Sequence, residues 1–443
     1  MSVLNFCLFK TTIISINYTF FSLFPLLSDT MKKNLKITYM PPTRVVEVSL
    51  PASKSLSNRA LVINALSGGG GILHNTADCD DTNAMLRALA EEGDVVNIGA
   101  AGTAMRFLTA YFAQLEGRSV TLDGSERMRH RPIGVLVDAL RQCGAHIEYV
   151  MQEGFPPLKI EGKRLEAPSA VRLKGDVSSQ YVSALMMIAP MISGGLTIEV
   201  EGDMISRPYV EMTAAMMRNF GATVDVTDSH IRISGGGYRD VDYAVESDWS
   251  AASYWYEIKA VAPQVDIILK GLFADSLQGD SRVAEIYRRM GVTTSFTPTG
   301  VVLGYDESLR QKRLDIDLSG QPDLAQTIVV TACLLGMPFE VSGLKTLRIK
   351  ETDRIAALCS QLRKLGYMVE AVGDEILRSD GKHIAIDETP RIETFDDHRM
   401  AMSFAPAAMV IPELMVMDSG VVSKSYPNYW NHLRNAGFVM CEE

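Results

Sequence analysis

The stretch ASKSLSNRALVI, residues 52–63, runs from a polar turn through small residues into an apolar helix. The same order returns five times: GAAGTAMRFLTAY from Gly99, GDVSSQYVSALMM from Gly175, SDWSAASYWYEI from Ser247, GQPDLAQTIVVTA from Gly320 and DDHRMAMSFAPAA from Asp396. From the second copy onward the starts recur at roughly 70–80 residues, the size of a whole supersecondary unit rather than a solenoid repeat. The first interval is only about 47 residues, so the first unit lacks about 25. Alternating apolar runs at 119–124, 196–202 and 231–236 read as strands. Residues 132–145, 208–222 and 353–367 read as amphipathic helices that stop near a glycine. The unit is therefore mixed α/β. Six copies in 443 residues group most simply as three in each of two domains.

Composition narrows the functional classes. Apolar residues make up 47% and charged residues 22%, an ordinary globular balance. A net charge of −10 argues against a nucleic-acid partner, which needs a basic face. It leaves room for a locally positive cleft that takes a small anion. The six cysteines are scattered, with no CxxC pair and no Cys/His spacing for a metal, and read as reduced thiols of the cytoplasm. Residues 11–27 are apolar but interrupted by Asn17 and Pro25, with neither a basic leader nor a small-residue cleavage site. Residues 1–30 thus read as a non-native or disordered extension, with the protein proper opening at Met31 and no membrane partner.

Helix starts offer free N–H groups and a dipole that favours anions, and small residues let a ligand approach the backbone. Several such starts converging on one cleft would make a polyanion site; small residues also serve simply as close helix contacts. Lys54-Ser55-Leu56-Ser57-Asn58-Arg59 places a point charge, hydroxyls and a planar fork at one entrance, as a phosphate needs and as a capped surface helix also would. Gly102-Thr103-Ala104-Met105-Arg106 offers backbone amides followed by a fork, without the GxGxxG or Walker A pattern of nucleotide sites. Arg127, Arg129 and Arg131 precede the helix opened by Pro132 and suit either an anion or a solvated face. Ser178-Ser179-Gln180 brings hydroxyls and an amide, more than N-capping alone requires. Ser206-Arg207-Pro208-Tyr209 repeats the theme. Asp323 opens an apolar helix, as a candidate carboxylate or as an ordinary N-terminal acid. Lys350-Glu351-Thr352-Asp353-Arg354 is a dense charge cluster, and Asp397-His398-Arg399 opens an otherwise apolar helix, which is costly unless paired or facing a ligand. Lys424 lies near the C-terminus.

Taken in order, KSLSNRA, AGTAMR, RPIG, VSSQY, SRPY, KETDR and DHRMAM resemble the enolpyruvyl transferase family, and within it the 3-phosphoshikimate 1-carboxyvinyltransferase (EPSP synthase) branch, from about residue 45 to about 435. The resemblance implies two similar domains, each of three βαβαββ units, with the active site between them. One domain would comprise 31–52 plus 247–443 and the other 53–246. It also implies transfer of the enolpyruvyl group of phosphoenolpyruvate to the 5-hydroxyl of shikimate 3-phosphate by addition and elimination, in a monomer without metal or cofactor. Lys54, Ser55, Arg59, Ser178, Ser179, Gln180, Ser206, Tyr209, Asp323, Thr346 and Lys350 would hold shikimate 3-phosphate. Lys54, Gly102, Arg106, Arg131, Gln180, Arg354, Arg399 and Lys424 would hold phosphoenolpyruvate. Asp323 and Glu351 are the acid–base candidates, with Lys54 assisting and His398 nearby.

Some positions depart from the family pattern: Ala100 replaces an Asn, Phe107 a Pro and Thr346 an Asn, and the stretch from Asp81 to Gly102 is short. The related transferases that act on UDP-N-acetylglucosamine usually carry a cysteine five residues before the Arg matching Arg131. Here that position is Glu126. A binding protein without turnover would have no need of Asp323 and Glu351.

Overall fold

A computed structural model describes residues 33–175, 177–202, 204–386 and 388–443; the extension expected over residues 1–30 lies outside them. The repeated pattern becomes six helices: α1 (Lys54–Ser67), α2 (Gly102–Gln114), α3 (Ser179–Ile188), α4 (Trp249–Val261), α5 (Ala325–Leu334) and α6 (His398–Phe404). Side-chain oxygens cap four of these starts: Ser53, Ser178, Asp248 and Asp397 each accept from a backbone N–H of the first turn. The last repeat is shorter than its apolar run suggests. α6 gives way to a 3₁₀ turn at Ala405–Met409, because Pro406 has no N–H to continue an α-helix.

Among the described residues five four-stranded sheets share one order: a parallel pair, then two antiparallel neighbours. Val95–Asn97 runs parallel to Ser119–Asp123 with α2 between them in the chain. Val171–Lys174 runs parallel to Leu196–Glu201 with α3 between them, and Leu314–Asp317 to Phe339–Ser342 with α5 between them. A crossover helix must leave the C-terminal end of its first strand, so these helix N-termini emerge at the sheet edge where α/β folds bind ligands. The sixth sheet departs from the expected unit. It is only a parallel pair, Leu73–His74 beside Tyr243–Ala244, in the part of the chain where the first repeat is shortened.

Apolar burial falls into two clusters. One runs from Leu35 to Leu50 and from Trp249 to Phe438; the other runs from Ala52 to Val245. The chain passes between them twice, and the passages are paired: Ser53 N donates to Glu246 O at 2.8 Å and Asp248 N to Pro51 O at 2.9 Å. Away from these passages the lobes touch through few polar contacts, among them Ser206 N to Ser319 O at 3.0 Å and Arg127 Nε to Glu351 O at 3.0 Å. No helix of the described residues is long and apolar enough to cross a membrane.

Candidate active site

The N-termini of α1, α2 and α3 from one lobe face α6 and the turns before α5 and Arg354 from the other, and the cavity between them is lined by charged groups of both. Lys54, Ser55, Arg59, Gly102, Arg131, Ser178, Ser179, Gln180, Ser206 and Tyr209 line it from one side, and Asp323, Lys350, Glu351, Arg354, His398 and Arg399 from the other. Arg106 and Thr346 line an adjoining recess that shares Arg131, Ser178, Ser179, Gln180, Ser206 and Lys350 with the main cavity. Lys424 is not among these linings. It is half-buried, and its Nζ donates to the Asp396 carbonyl at 2.5 Å. The neighbouring Ser423 hydroxyl donates to Asp80, across the lobes.

On the acidic side, Asp323 receives Arg399 Nη2 at 2.9 Å and Arg354 Nη1 at 3.2 Å, with Lys350 Nζ at 3.7 Å. Burial alone would push its carboxyl up, but Arg399, Lys350 and Arg354 hold it far below the usual carboxylate range. Glu351 is held down in the same way: burial opposes ionisation, while Arg354 at 2.9 Å and Arg131 at 3.8 Å favour it. Arg354, almost fully buried, is also paired with Asp397 at 2.7 Å. The Asp397-His398-Arg399 triplet that looked costly in an apolar helix is therefore paired on one member and turned into the cavity on the other two. His398 is 2% exposed, and neither ring nitrogen makes a hydrogen bond among the described residues, although Nδ1 lies 3.8 Å from Asp397 Oδ1. Burial, then Lys54 and Arg399, hold its ring neutral.

On the basic side, Lys54 Nζ sits 2.9 Å from Asp81 Oδ2. Burial would discharge it, and Asp81 more than restores its proton. Arg131 is buried, and its Nε makes no hydrogen bond among the described residues. Arg59 is 2% exposed and spends its donors internally, on Thr213 at 2.7 Å, Ser183 at 3.1 Å and the Ser55 carbonyl at 2.9 Å. Its guanidinium lies 5.2 Å over the ring of Phe107, so the phenylalanine that departs from the family pattern carries a cation on its face. Arg106 likewise donates inward, to the Pro132 and Gly102 carbonyls. Ser206 holds a left-handed backbone (φ 60°) at the start of the helix Arg207–Asn219, a strained conformation for a residue with a side chain.

Of the three neighbouring arginines, Arg131 enters the cavity. Arg127 braces Glu351 from the surface, and Arg129 pairs with Asp123 at 2.6 Å. Sequence patterns do not single out Asp81, Thr103 or Asp280, which all touch this constellation. Asp81 is one of two acids in an unremarked helix start, and Asp280 lies in a short 3₁₀ turn with no periodicity to mark it.

A family model described as EPSP synthase (3-phosphoshikimate 1-carboxyvinyltransferase) matches residues 42–93 and 89–433. A 3-phosphoshikimate 1-carboxyvinyltransferase of Bacteroides fragilis (strain YCH46) is 53% identical over 392 residues, covering 88% of this chain and 95% of the relative. The chloroplastic 3-phosphoshikimate 1-carboxyvinyltransferase of Arabidopsis thaliana is 37% identical over 426 residues, covering 87% of this chain and 81% of the relative. Among solved structures, an EPSP synthase from Acinetobacter baumannii superposes with a TM-score of 0.72 at 20% identity, over 93% of this chain and 100% of that one, a likeness of fold. With relatives this close along most of its length, the chain belongs to the EPSP synthase (3-phosphoshikimate 1-carboxyvinyltransferase) family.

Proposed function

We propose that the interlobe cavity transfers the enolpyruvyl group of phosphoenolpyruvate to the 5-hydroxyl of shikimate 3-phosphate, the family's activity, with Asp323 as base and Glu351 as acid. The observation that carries this reading is the meeting of Lys54, Arg131, Lys350, Arg354 and Arg399 from both lobes around two half-buried carboxylates. The two reactants bring about five to six negative charges, since each phosphate carries roughly −1.5 to −2 at neutral pH and each reactant also has an ionised carboxylate. Five cations in a largely enclosed cavity are suited to that load.

The division of ligands follows the sides of the cavity. Ser178, Ser179, Ser206, Gln180 and Tyr209 take the acceptor, with Ser55 and Arg59 beneath it and Thr346 at the rim. Arg131, Arg354 and Arg399 take phosphoenolpyruvate against the Gly102 backbone, with Arg106 behind it and Lys424 joining from its position on the second lobe. Lys54 and Lys350 lie between the two.

Against the cost of burial, Asp323 is held ionised by Arg399, Lys350 and Arg354, and Glu351 by Arg354 and Arg131, with Arg354 shared with Asp397. Phosphates and a carboxylate that recruit those cations restore proton affinity to both. Asp323 then accepts the proton of the 5-hydroxyl, while Glu351 protonates the methylene carbon of phosphoenolpyruvate. The oxygen attacks the resulting cationic carbon 2, and the tetrahedral adduct returns a methyl proton to the Glu351 carboxylate as phosphate leaves with the proton held by Asp323. Each proton-transferring group contributes about 10²–10⁴-fold. The two cores and the paired passages support two domains, 31–52 plus 247–443 and 53–246, that close to exclude water.

We infer a monomer working in the cytoplasm; free thiols at all five described cysteines support a reducing compartment. A dimer mass by light scattering would overturn the monomer. The activity is tested by phosphate release from phosphoenolpyruvate. Release that requires shikimate 3-phosphate is expected. Release with UDP-N-acetylglucosamine instead would contradict the assignment.

A further inference from the structure

Asp280 is 4% exposed and sits in the 3₁₀ turn Gly279–Arg282, outside the cavity lining. Its Oδ1 accepts from the Tyr209 hydroxyl at 3.1 Å, and its Oδ2 accepts from the Ser250 hydroxyl. The same Tyr209 hydroxyl lies 3.4 Å from Asp323 Oδ2. One phenol from the first-described side of the cavity thus stands between two carboxylates of the opposite lobe, with a single proton to give. The approach is close: a methyl group on Gly279 would sit 2.4 Å from Pro208 Cβ, in the turn that delivers Tyr209.

We propose that Asp280 is a positioning residue of the acid–base centre: it accepts the hydrogen bond of the Tyr209 hydroxyl, drawing the phenol away from Asp323, and its negative charge strengthens Asp323 as a proton acceptor. The inference rests on Asp323 being the base. When the 5-hydroxyl is deprotonated, its proton passes to Asp323, and Asp280 changes only the affinity of that site. The groups facing Asp280 are Tyr209 from the helix Arg207–Asn219, Asp323 before α5, Asp248 and Ser250 at the start of α4, and Arg399 on α6. Burial, then the charge of Asp323, push its carboxyl up to about 6, against the Ser250 hydrogen bond and Arg399. Below that pH the charge is lost and Asp323 becomes a weaker base, so turnover falls on the acid side.

The test is the pH profile of kcat for the full-length protein and three variants. The unmodified protein is expected to show an acid limb near pH 6. Asp280→Asn keeps the acceptor for Tyr209 but not the charge. It should lower kcat about tenfold at neutral pH and abolish that limb, with the KM for shikimate 3-phosphate within about twofold. Ser250→Ala removes a hydrogen bond to the ionised form and should move the limb up by about half a pH unit or more. That variant decides the matter if Asp280→Asn does not fold. An unmoved limb in Ser250→Ala, or a wild-type limb in Asp280→Asn, overturns the role of Asp280. Asp323→Asn separates the two levels: near-normal kcat there overturns the base assignment itself, whereas an inactive Asp323→Asn with an unchanged Asp280→Asn profile overturns only the inference.

Discussion

A methyl group added to Gly102 would stand 2.5 Å from Nη1 of Arg131 and 3.0 Å from its Cζ. The glycine at the start of α2 is therefore the floor on which the arginine's planar fork lies. Because Arg131 is buried and reaches over from its own loop, it must tilt away if the floor rises. Gly102→Ala is expected to raise the KM for phosphoenolpyruvate several-fold, while kcat and the affinity for shikimate 3-phosphate change by less than about threefold. Steady-state kinetics with each substrate varied will check this. An unchanged KM for phosphoenolpyruvate would mean that Arg131 does not hold it.

Lys54 keeps its charge in a buried place because Asp81 lies 2.9 Å away. Asp81→Asn preserves shape but removes the strongest of the charges that oppose burial, leaving Glu351 as the nearby carboxylate, so the ammonium loses its proton at lower pH than before. Turnover should fall by about tenfold or more at neutral pH, and the alkaline limb of kcat/KM should move to lower pH. An alkaline limb at its original position would mean that Lys54 does not depend on Asp81 for its charge.

Glu257 on α4 is fully buried, and neither carboxylate oxygen has a partner among the described residues. Burial raises its proton affinity well above the ordinary 4.5, so the folded chain keeps a proton that the unfolded chain releases. A raised folded value means a contribution to stability that is complete below about pH 4.5 and is lost as pH rises toward the folded value. The slope is about −1.4 kcal/mol per pH unit while one proton differs. Glu257→Gln removes that slope. Denaturant unfolding at pH 6 and pH 8 should show the variant gaining on the parent by about 1 kcal/mol or more between the two. Parallel pH dependence would show that Glu257 is ionised in the fold.

The fold was legible because the repeat is written in residues that punctuate helices. Ser53, Ser178, Asp248 and Asp397 cap helices whose later turns are mostly apolar. The shortened first interval also had a visible consequence, a sheet reduced to two strands. What stayed hidden came from tertiary contact. Asp81 becomes important only when the chain brings it to Lys54, and Asp280 only when Tyr209 arrives from the other lobe. Arg59 illustrates the opposite case. It carries the look of an open anion fork in KSLSNR, yet its donors are committed to Thr213, Ser183 and the Ser55 carbonyl, partners 154, 124 and 4 residues away. No local pattern distinguishes a free guanidinium from a spent one.

Phosphoenolpyruvate affinity, read as its KM in phosphate release at saturating shikimate 3-phosphate, tests whether one anion is held by both lobes. Arg131→Ala and Arg399→Ala remove one guanidinium from each side, and each should weaken binding by about 30-fold or more. Wild-type affinity in either variant would contradict a site shared across the cleft.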